Sequence, residues 1–330
     1  MFDGTAGDDD DHLAGTCAQR PRKMLRVRVD ERGAVVLDLG GVDEEARHAC
    51  THGAAPIARY GVDVSRERLS ATTLDGVQLA VFVAGEGTSL LLIPGLGARS
   101  SVFDPIMPDL SSRLRVITYD PRGLGESGDG GDITLANMAL DAVAVLDAAR
   151  VGAAAVLGAS MGGLIAQHLV VDHPERVARL ILAATAPGGG RGVAANPADR
   201  AALLGRGART PEDAYRQACT VLYSPHFQRT HPAFIEDQIT ERARNPVGPR
   251  VFSSQILAMS QADDSFERLA GVTAPALVLH GTDDAVTPYE NARILARQIP
   301  DATLRPFDGC GHLFFHERPA ETARVIAEAL

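Results

Sequence analysis

Residues 153–162 read Ala153-Ala154-Ala155-Val156-Leu157-Gly158-Ala159-Ser160-Met161-Gly162, and the fold turns on them. An apolar run ends in a glycine, and a second apolar run with helical character, residues 161–171, opens on the far side. A serine with a glycine two residues away on each side, at a strand-to-helix junction, is the pattern of a turn that lifts a hydroxyl above a sheet. Such a turn is so tight that a Cβ at either glycine would strike the adjoining strand or helix. The hydroxyl then stands beside the free N–H groups of a helix N-terminus. By itself the pattern arises by chance in chains rich in glycine and alanine, so its meaning depends on its surroundings.

Three features supply that context. Residues 276–280 (Ala-Leu-Val-Leu-His) read as a short buried strand running into Gly281-Thr282-Asp283-Asp284-Ala285-Val286-Thr287-Pro288. Residues 302–307 read as another strand, followed by Gly309-Cys310-Gly311-His312. Upstream, Leu90-Leu91-Leu92-Ile93 runs into Pro94-Gly95-Leu96-Gly97. A serine, then an acid, then a histidine therefore follow in chain order, each on a loop after a predicted strand, with a glycine-rich loop ahead of them.

From about residue 74 to 330 this sequence resembles the α/β-hydrolase fold, and within it the haloperoxidase-like and 3-oxoadipate enol-lactonase-like serine esterases. Further marks of that resemblance are Tyr119-Asp120-Pro121-Arg122-Gly123-Leu124-Gly125-Glu126-Ser127, His173-Pro174-Glu175-Arg176-Val177 and His316-Glu317-Arg318-Pro319. The resemblance implies an α/β fold with a mostly parallel eight-stranded sheet, helices on both faces and an inserted helical cap. It also implies roles. Ser160 would attack as the nucleophile, a poor one until a base takes its proton. His312 would be that base and later the acid. In family members the acid stands three residues after the glycine that ends its strand and four before a proline, which selects Asp284. A one-residue shift in the turn would select Asp283 instead. The backbone N–H groups of Leu96 and Met161 would form the oxyanion hole, each donor worth roughly 3 kcal/mol. Many relatives carry histidine where this chain has Pro94, so a side-chain contribution from that position is lost. Phe103 and Met107, with Tyr215, Tyr223, Phe227 and Met259 further on, are the candidates for pocket lining. Asp120, Arg122 and Ser127 read as a hydrogen-bonded support for the loop.

These readings converge on a serine hydrolase, a carboxylic ester hydrolase or lactonase, acting on a small or medium ester or lactone. The rival readings are a ligand-binding or signalling protein, or a cyclase or isomerase, that keeps the same three residues with little turnover. Serine at the elbow argues against epoxide hydrolases and haloalkane dehalogenases, which use aspartate there. No H-E-x-x-H, P-loop or dinucleotide fingerprint is present, so neither metal nor cofactor is expected.

Composition narrows the field further. Apolar residues make up 45% of the 330, enough for a large core, and the formal net charge of −10 argues against nucleic acid as a partner. No apolar stretch approaches the roughly 20 residues needed to cross a bilayer, and no signal peptide is recognisable, so no membrane association and a cytoplasmic location are expected. Cys17, Cys50, Cys219 and Cys310 lack metal-ligand spacing and read as free thiols. Along the chain, residues 1–23 read as a disordered leader. Residues 24–67 read as an N-terminal extension of unknown role, with a hairpin over 26–29 and 34–39 and a weak helix over 43–52. Residues 68–187 and 272–330 form the predicted core, with strands at 70–74 and 77–84 around an Asp75-Gly76 turn, then 90–93, 115–119, 153–157, 179–183, 276–280 and 303–307. Between Ala183 and Ala276 lies a connection too long to be structureless. It is assigned as a helical cap, 188–271, with helices from Pro211 behind Thr210 as N-cap, over 232–244 and over 250–261.

Overall fold

The computed structural model describes residues 26–29, 35–38, 65–261, 263 and 265–330. Arg26–Val29 (β1) and Val35–Asp38 (β2) pair antiparallel, Val29 opposite Val35, as the alternation predicts. They fall in a unit spanning residues 1–54, and everything below belongs to the unit from residue 55 onward. The predicted leader and the weak helix over 43–52 lie outside the described residues.

Eight strands make the sheet: Glu67–Thr72 (β3), Gln78–Ala84 (β4), Ser89–Ile93 (β5), Arg115–Tyr119 (β6), Ala154–Ala159 (β7), Val177–Ala183 (β8), Ala276–Gly281 (β9) and Ala302–Phe307 (β10). Their order is β10-β9-β8-β7-β5-β6-β4-β3. The β3/β4 and β4/β6 pairs are antiparallel and the rest are parallel. Helices Met107–Ser111 (α1), Leu135–Ala148 (α2) and Met161–Asp172 (α3) come first. Pro197–Leu203 (α4), Pro211–Leu222 (α5), Pro225–Thr230 (α6), Pro232–Arg244 (α7), Pro249–Ser260 (α8) and Ser265–Arg268 (α9) form the inserted helical cap between β8 and β9. Glu290–Gln298 (α10), Phe314–Glu317 (α11) and Pro319–Glu328 (α12) follow.

Both faces of the sheet are covered, which is why the central strands read as unbroken apolar runs. Leu91, Ile93, Val156, Leu180 and Val278 pack into one layer with Met138, Ala142 and Val145 of α2 and Ile165 and Leu169 of α3. Leu90, Leu92, Leu157, Ile181 and Leu279 pack into the other with Leu110 of α1, Ile326 of α12 and Leu222 and Phe227 of the cap. Each such side chain removed from water contributes roughly 1.5–3 kcal/mol.

Helix starts follow the sequence closely. Thr134 caps α2 by accepting the Asn137 N–H at 3.1 Å, and Thr210 caps α5 by accepting the Asp213 N–H at 3.0 Å. Five cap helices, α4 to α8, open on proline, whose missing N–H is no loss in a first turn. The first strand pair differs from its prediction. Leu74 is 88% exposed, and Thr73 closes a longer turn by accepting the Gly76 N–H on its carbonyl and the Val77 N–H on its hydroxyl. The Asp75-Gly76 signal marks the turn correctly, but the strands end at Thr72 and restart at Gln78.

Candidate active site

Ser160 sits between β7 and α3 with φ 55° and ψ −120°, a conformation that a non-glycine residue holds only under constraint. Its N–H donates to Ala183 O at 2.9 Å, and its carbonyl accepts from Gly163 N at 2.9 Å and from Thr185 Oγ1 at 2.7 Å. The two glycines of the motif have a steric reason. A Cβ on Gly158 would lie 2.2 Å from Gly162 O, and one on Gly162 would lie 2.1 Å from Ile93 O. Across the turn, a Cβ on Gly95 would fall 3.1 Å from Ser160 Cβ and 3.6 Å from its Oγ, so the loop after β5 runs directly beside the hydroxyl. Gly95 O accepts the Ala98 N–H at 3.1 Å, which turns the Leu96 N–H the opposite way from that carbonyl.

The acid loop follows β9. Asp284 is buried; its Oδ1 accepts the N–H groups of Val286 (2.8 Å) and Thr287 (2.7 Å), and its Oδ2 lies 2.8 Å from His312 Nδ1. Asp283 faces solvent, with Thr282 Oγ1 at 3.4 Å as its carboxylate's partner. A second imidazole reaches the same carboxylate: His280 Nε2 is 3.2 Å from Asp284 Oδ2 and 2.7 Å from Thr287 O. A carbonyl can only accept, so Nε2 carries the proton. Burial alone would raise the Asp284 pKa, but the charge of His312 and the bonds from both imidazoles outweigh it and hold it at about 2.

His312 is buried, and its loop is bound on three sides. Asp283 N–H donates to Cys310 O (2.9 Å), Gly309 N–H donates to Thr282 Oγ1 (2.8 Å), and Leu313 N–H donates to Leu222 O (2.9 Å). Glu317 joins this loop to the cap by accepting from Gly311 N (3.0 Å), Ser224 N (2.7 Å) and Ser224 Oγ (2.6 Å). With Nδ1 committed to Asp284, Nε2 is the ring nitrogen left for chemistry. Among the described residues no hydrogen bond joins it to Ser160, a contact that often tightens only with substrate present.

The motif after β6 is a buttress. Asp120 Oδ1 accepts from Ser100 N (2.9 Å) and Ser100 Oγ (2.7 Å), and Ser127 Oγ donates to Asp120 O (2.5 Å). Arg122 is buried and paired with Asp141 (2.6 Å) and Asp75 (2.8 Å). Phe103 and Met107 are fully buried, Phe103 with its ring 5.7 Å from that of Phe315. Tyr223 and Phe227 stack at 5.4 Å, and the Tyr223 hydroxyl bonds His316 Nδ1 at 3.0 Å. Tyr215 lies under the Arg242 guanidinium at 5.4 Å, whereas Met259 stands apart from this cluster on the surface, 37% exposed. Cys219 and Cys310 are buried free thiols, with burial pushing each up to about 12. Among the described residues no group of three or more His, Cys, Asp or Glu side chains is placed to hold a metal ion.

From sequence, neither His280 nor Glu317 receives a site role, though both lie in the stretches quoted from it. The available signals were positional: His280 stands four residues before Asp284 at the strand end, and Glu317 lies five after His312.

The fold and this strand-end site define an α/β hydrolase. A family model described as the alpha/beta hydrolase fold matches residues 88–319, and the chain belongs to that family. It is similar to RutD of Azorhizobium caulinodans, provisionally named a carbamate hydrolase, with 33% identity over 70% of this chain and 87% of that protein. It is also similar to the pimeloyl-[acyl-carrier protein] methyl ester esterase of Chromobacterium violaceum, with 30% identity over 77% of this chain and 98% of the esterase. Among solved structures it is similar to the esterase RhEst1 of Rhodococcus sp. ECU1013, with 28% identity, a TM-score of 0.70, and coverage of 81% of this chain and 99% of that one. The chain is a hydrolase, the class these relatives share. No helix among the described residues is long and apolar enough to cross a membrane.

Proposed function

We propose that the protein is a serine hydrolase that cleaves a small or medium carboxylic ester or lactone through an acyl-enzyme on Ser160. The observation that carries this reading is the 2.8 Å bond from His312 Nδ1 to Asp284, which leaves Nε2 available at the strand ends where the elbow presents Ser160. His312 takes the Ser160 proton as Oγ attacks the carbonyl carbon. The negative charge that develops on the carbonyl oxygen is held by the Leu96 and Met161 N–H groups. Collapse of this intermediate breaks the ester C–O bond, and His312 protonates the departing alkoxide. In the second half, His312 takes a proton from water, hydroxide adds to the acyl carbon, and Ser160 leaves with the proton returned. Asp284 holds the imidazole in one tautomer and stabilises its charged form without taking the proton.

The partner is a small-molecule ester or lactone, and the setting is cytoplasmic, in keeping with the buried thiols. The relatives' names give different substrates, a carbamate for one and a pimeloyl methyl ester for the other, so the carbonyl chemistry is the part that carries over. Labelling with a fluorophosphonate and turnover of p-nitrophenyl acyl esters test the reading together. Ser160→Ala should abolish labelling and lower kcat by roughly 10⁴-fold or more, with folding intact. Wild-type turnover in the purified variant would remove Ser160 from the mechanism.

A further inference from the structure

Gly97, two residues past the loop glycine that lies against Ser160, is held by the cap through both of its main-chain polar groups. Its N–H donates to Gln255 Oε1 of α8 at 2.8 Å, and its carbonyl accepts from Arg242 Nη1 of α7. Gln255 is fully buried, and its Nε2 has no partner among the described residues, so the side chain is placed by its one bond to Gly97. Gly97 has φ +60° and is third in the turn closed by Ala98 N–H to Gly95 O, the position where a type II turn requires positive φ. The Leu96 N–H lies on the preceding peptide, Gly95–Leu96, so the cap acts on it from one Cα away, by holding the far side of the same turn in place. With glycine on both sides of Leu96, no side chain next to it restrains the backbone of the turn. A Cβ on Gly97 would meet Arg242 Nη2 at 2.8 Å and the Phe252 ring at 3.3 Å, so cap side chains fill the space around it.

We propose that Gln255 and Arg242 are positioning residues for the oxyanion hole: by gripping Gly97 they fix the turn that carries the Leu96 N–H, so the hole is complete only while α7 and α8 are seated on it. This rests on the serine hydrolase reading above. A substrate that settles under the cap and holds these helices down thereby also orders the donor that stabilises its own transition state.

The test compares Gln255→Met, which keeps length and removes the acceptor, Arg242→Met, and Gln255→Glu, which keeps an acceptor oxygen. Val251→Ala is the control, because Val251 is a buried α8 residue that packs beside Gly123 and makes neither of the two bonds to Gly97. Measured are kcat and KM on a p-nitrophenyl ester, the second-order rate constant for fluorophosphonate inactivation, and Tm. Removing one oxyanion donor typically costs 10²–10³ in kcat, so loss of its positioning should lower kcat and the inactivation constant together by roughly ten- to a hundred-fold. KM should stay within about threefold, because the lost interaction acts in the transition state. Gln255→Glu should recover most of the rate, and Val251→Ala should lower Tm while leaving the inactivation constant near wild type. Folded Gln255→Met and Arg242→Met proteins that inactivate at the wild-type rate would overturn the proposal. So would Val251→Ala losing as much as Gln255→Met, since loosening of the helix would then suffice. A wild-type protein that is not labelled at Ser160 would instead overturn the catalytic reading beneath it.

Discussion

Asp284→Asn separates the two adjacent aspartates by mechanism. Asn keeps an oxygen for the Val286 and Thr287 N–H groups, so the turn keeps both backbone bonds. Its amide nitrogen then faces His312 Nδ1, 2.8 Å away in the wild type, and a donor there forces Nδ1 to become the acceptor. The ring proton moves to Nε2, and a protonated Nε2 cannot take the proton of Ser160. His280 meets the same amide with its own Nε2–H, which is committed to Thr287 O and cannot turn acceptor without losing that bond. The same exchange in a serine protease triad lowers kcat by about 10⁴, or about 5.4 kcal/mol of barrier. Asp284→Asn should therefore lose about four orders of magnitude in kcat/KM on p-nitrophenyl esters with its fold preserved by circular dichroism. Asp283→Asn, an exposed carboxylate, should stay within about twofold of wild type. Retention of a tenth of the wild-type rate in Asp284→Asn, or a greater loss in Asp283→Asn, would refute the tautomer argument.

Three other outcomes are expected. Gly162→Ala should yield little folded protein, because its Cβ would stand 2.1 Å from Ile93 O and 2.7 Å from Pro94 O; a soluble variant with wild-type Tm would contradict the packing of the elbow. Asp141→Ala should destabilise by roughly 3–5 kcal/mol, since it strips the buried Arg122 of its closest carboxylate; urea unfolding within 1 kcal/mol or so of wild type would show the pair to be dispensable. His316 donates from Nε2 to Val102 O and accepts the Tyr223 hydroxyl on Nδ1, and burial brings its pKa from 6.5 down to about 4. Its folded value is the lower one, so its stabilising contribution is full above pH 6.5 and is lost as pH falls toward 4, by roughly 3 kcal/mol. Replacing it with Gln should flatten urea-derived stability between pH 7.5 and 4.5, and an unchanged slope would assign that loss to other groups.

The parts legible in the sequence were those whose constraint is local. Gly158 and Gly162 announce the elbow because each touches backbone within a few residues or at the end of β5, and Thr210 announces α5 because its cap bond spans three residues. The five largely buried strands from β5 to β9 declare themselves by apolar runs, whereas β10, at the sheet edge, alternates apolar and polar residues. The choice of Asp284 over Asp283 rested on counting from Gly281 and Pro288, and the structure turns the same residue toward His312. What was not legible depends on distant partners or on the pleat. His280 reaches Asp284 only because the end of β9 turns its ring to that side, and apolar neighbours such as Leu279 carry no trace of this. The bond from Gly97 to Gln255 spans 158 residues, and Glu317 gathers Gly311 and Ser224 from separate elements. Helices α4 and α6, of seven and six residues, are too short for periodicity to reveal.

The strand order has a consequence for how the protein comes to be made. From β7 onward the sheet grows outward in the order of synthesis, β8 on β7, β9 on β8 and β10 on β9. Each new strand finds its partner already in place at an edge, with no later segment to wait for. The elbow belongs to the first of these strands, the acid loop follows the third and the histidine loop the fourth. At about 5–20 residues per second, Ser160 leaves the ribosome some 8–30 s before His312. On the proposed mechanism, a nascent chain thus carries its strained serine without a base until the edge closes, and catalytic competence arrives with the outermost strand. Fraying at that same edge would silence the enzyme while β5 and β7 remain intact at its centre.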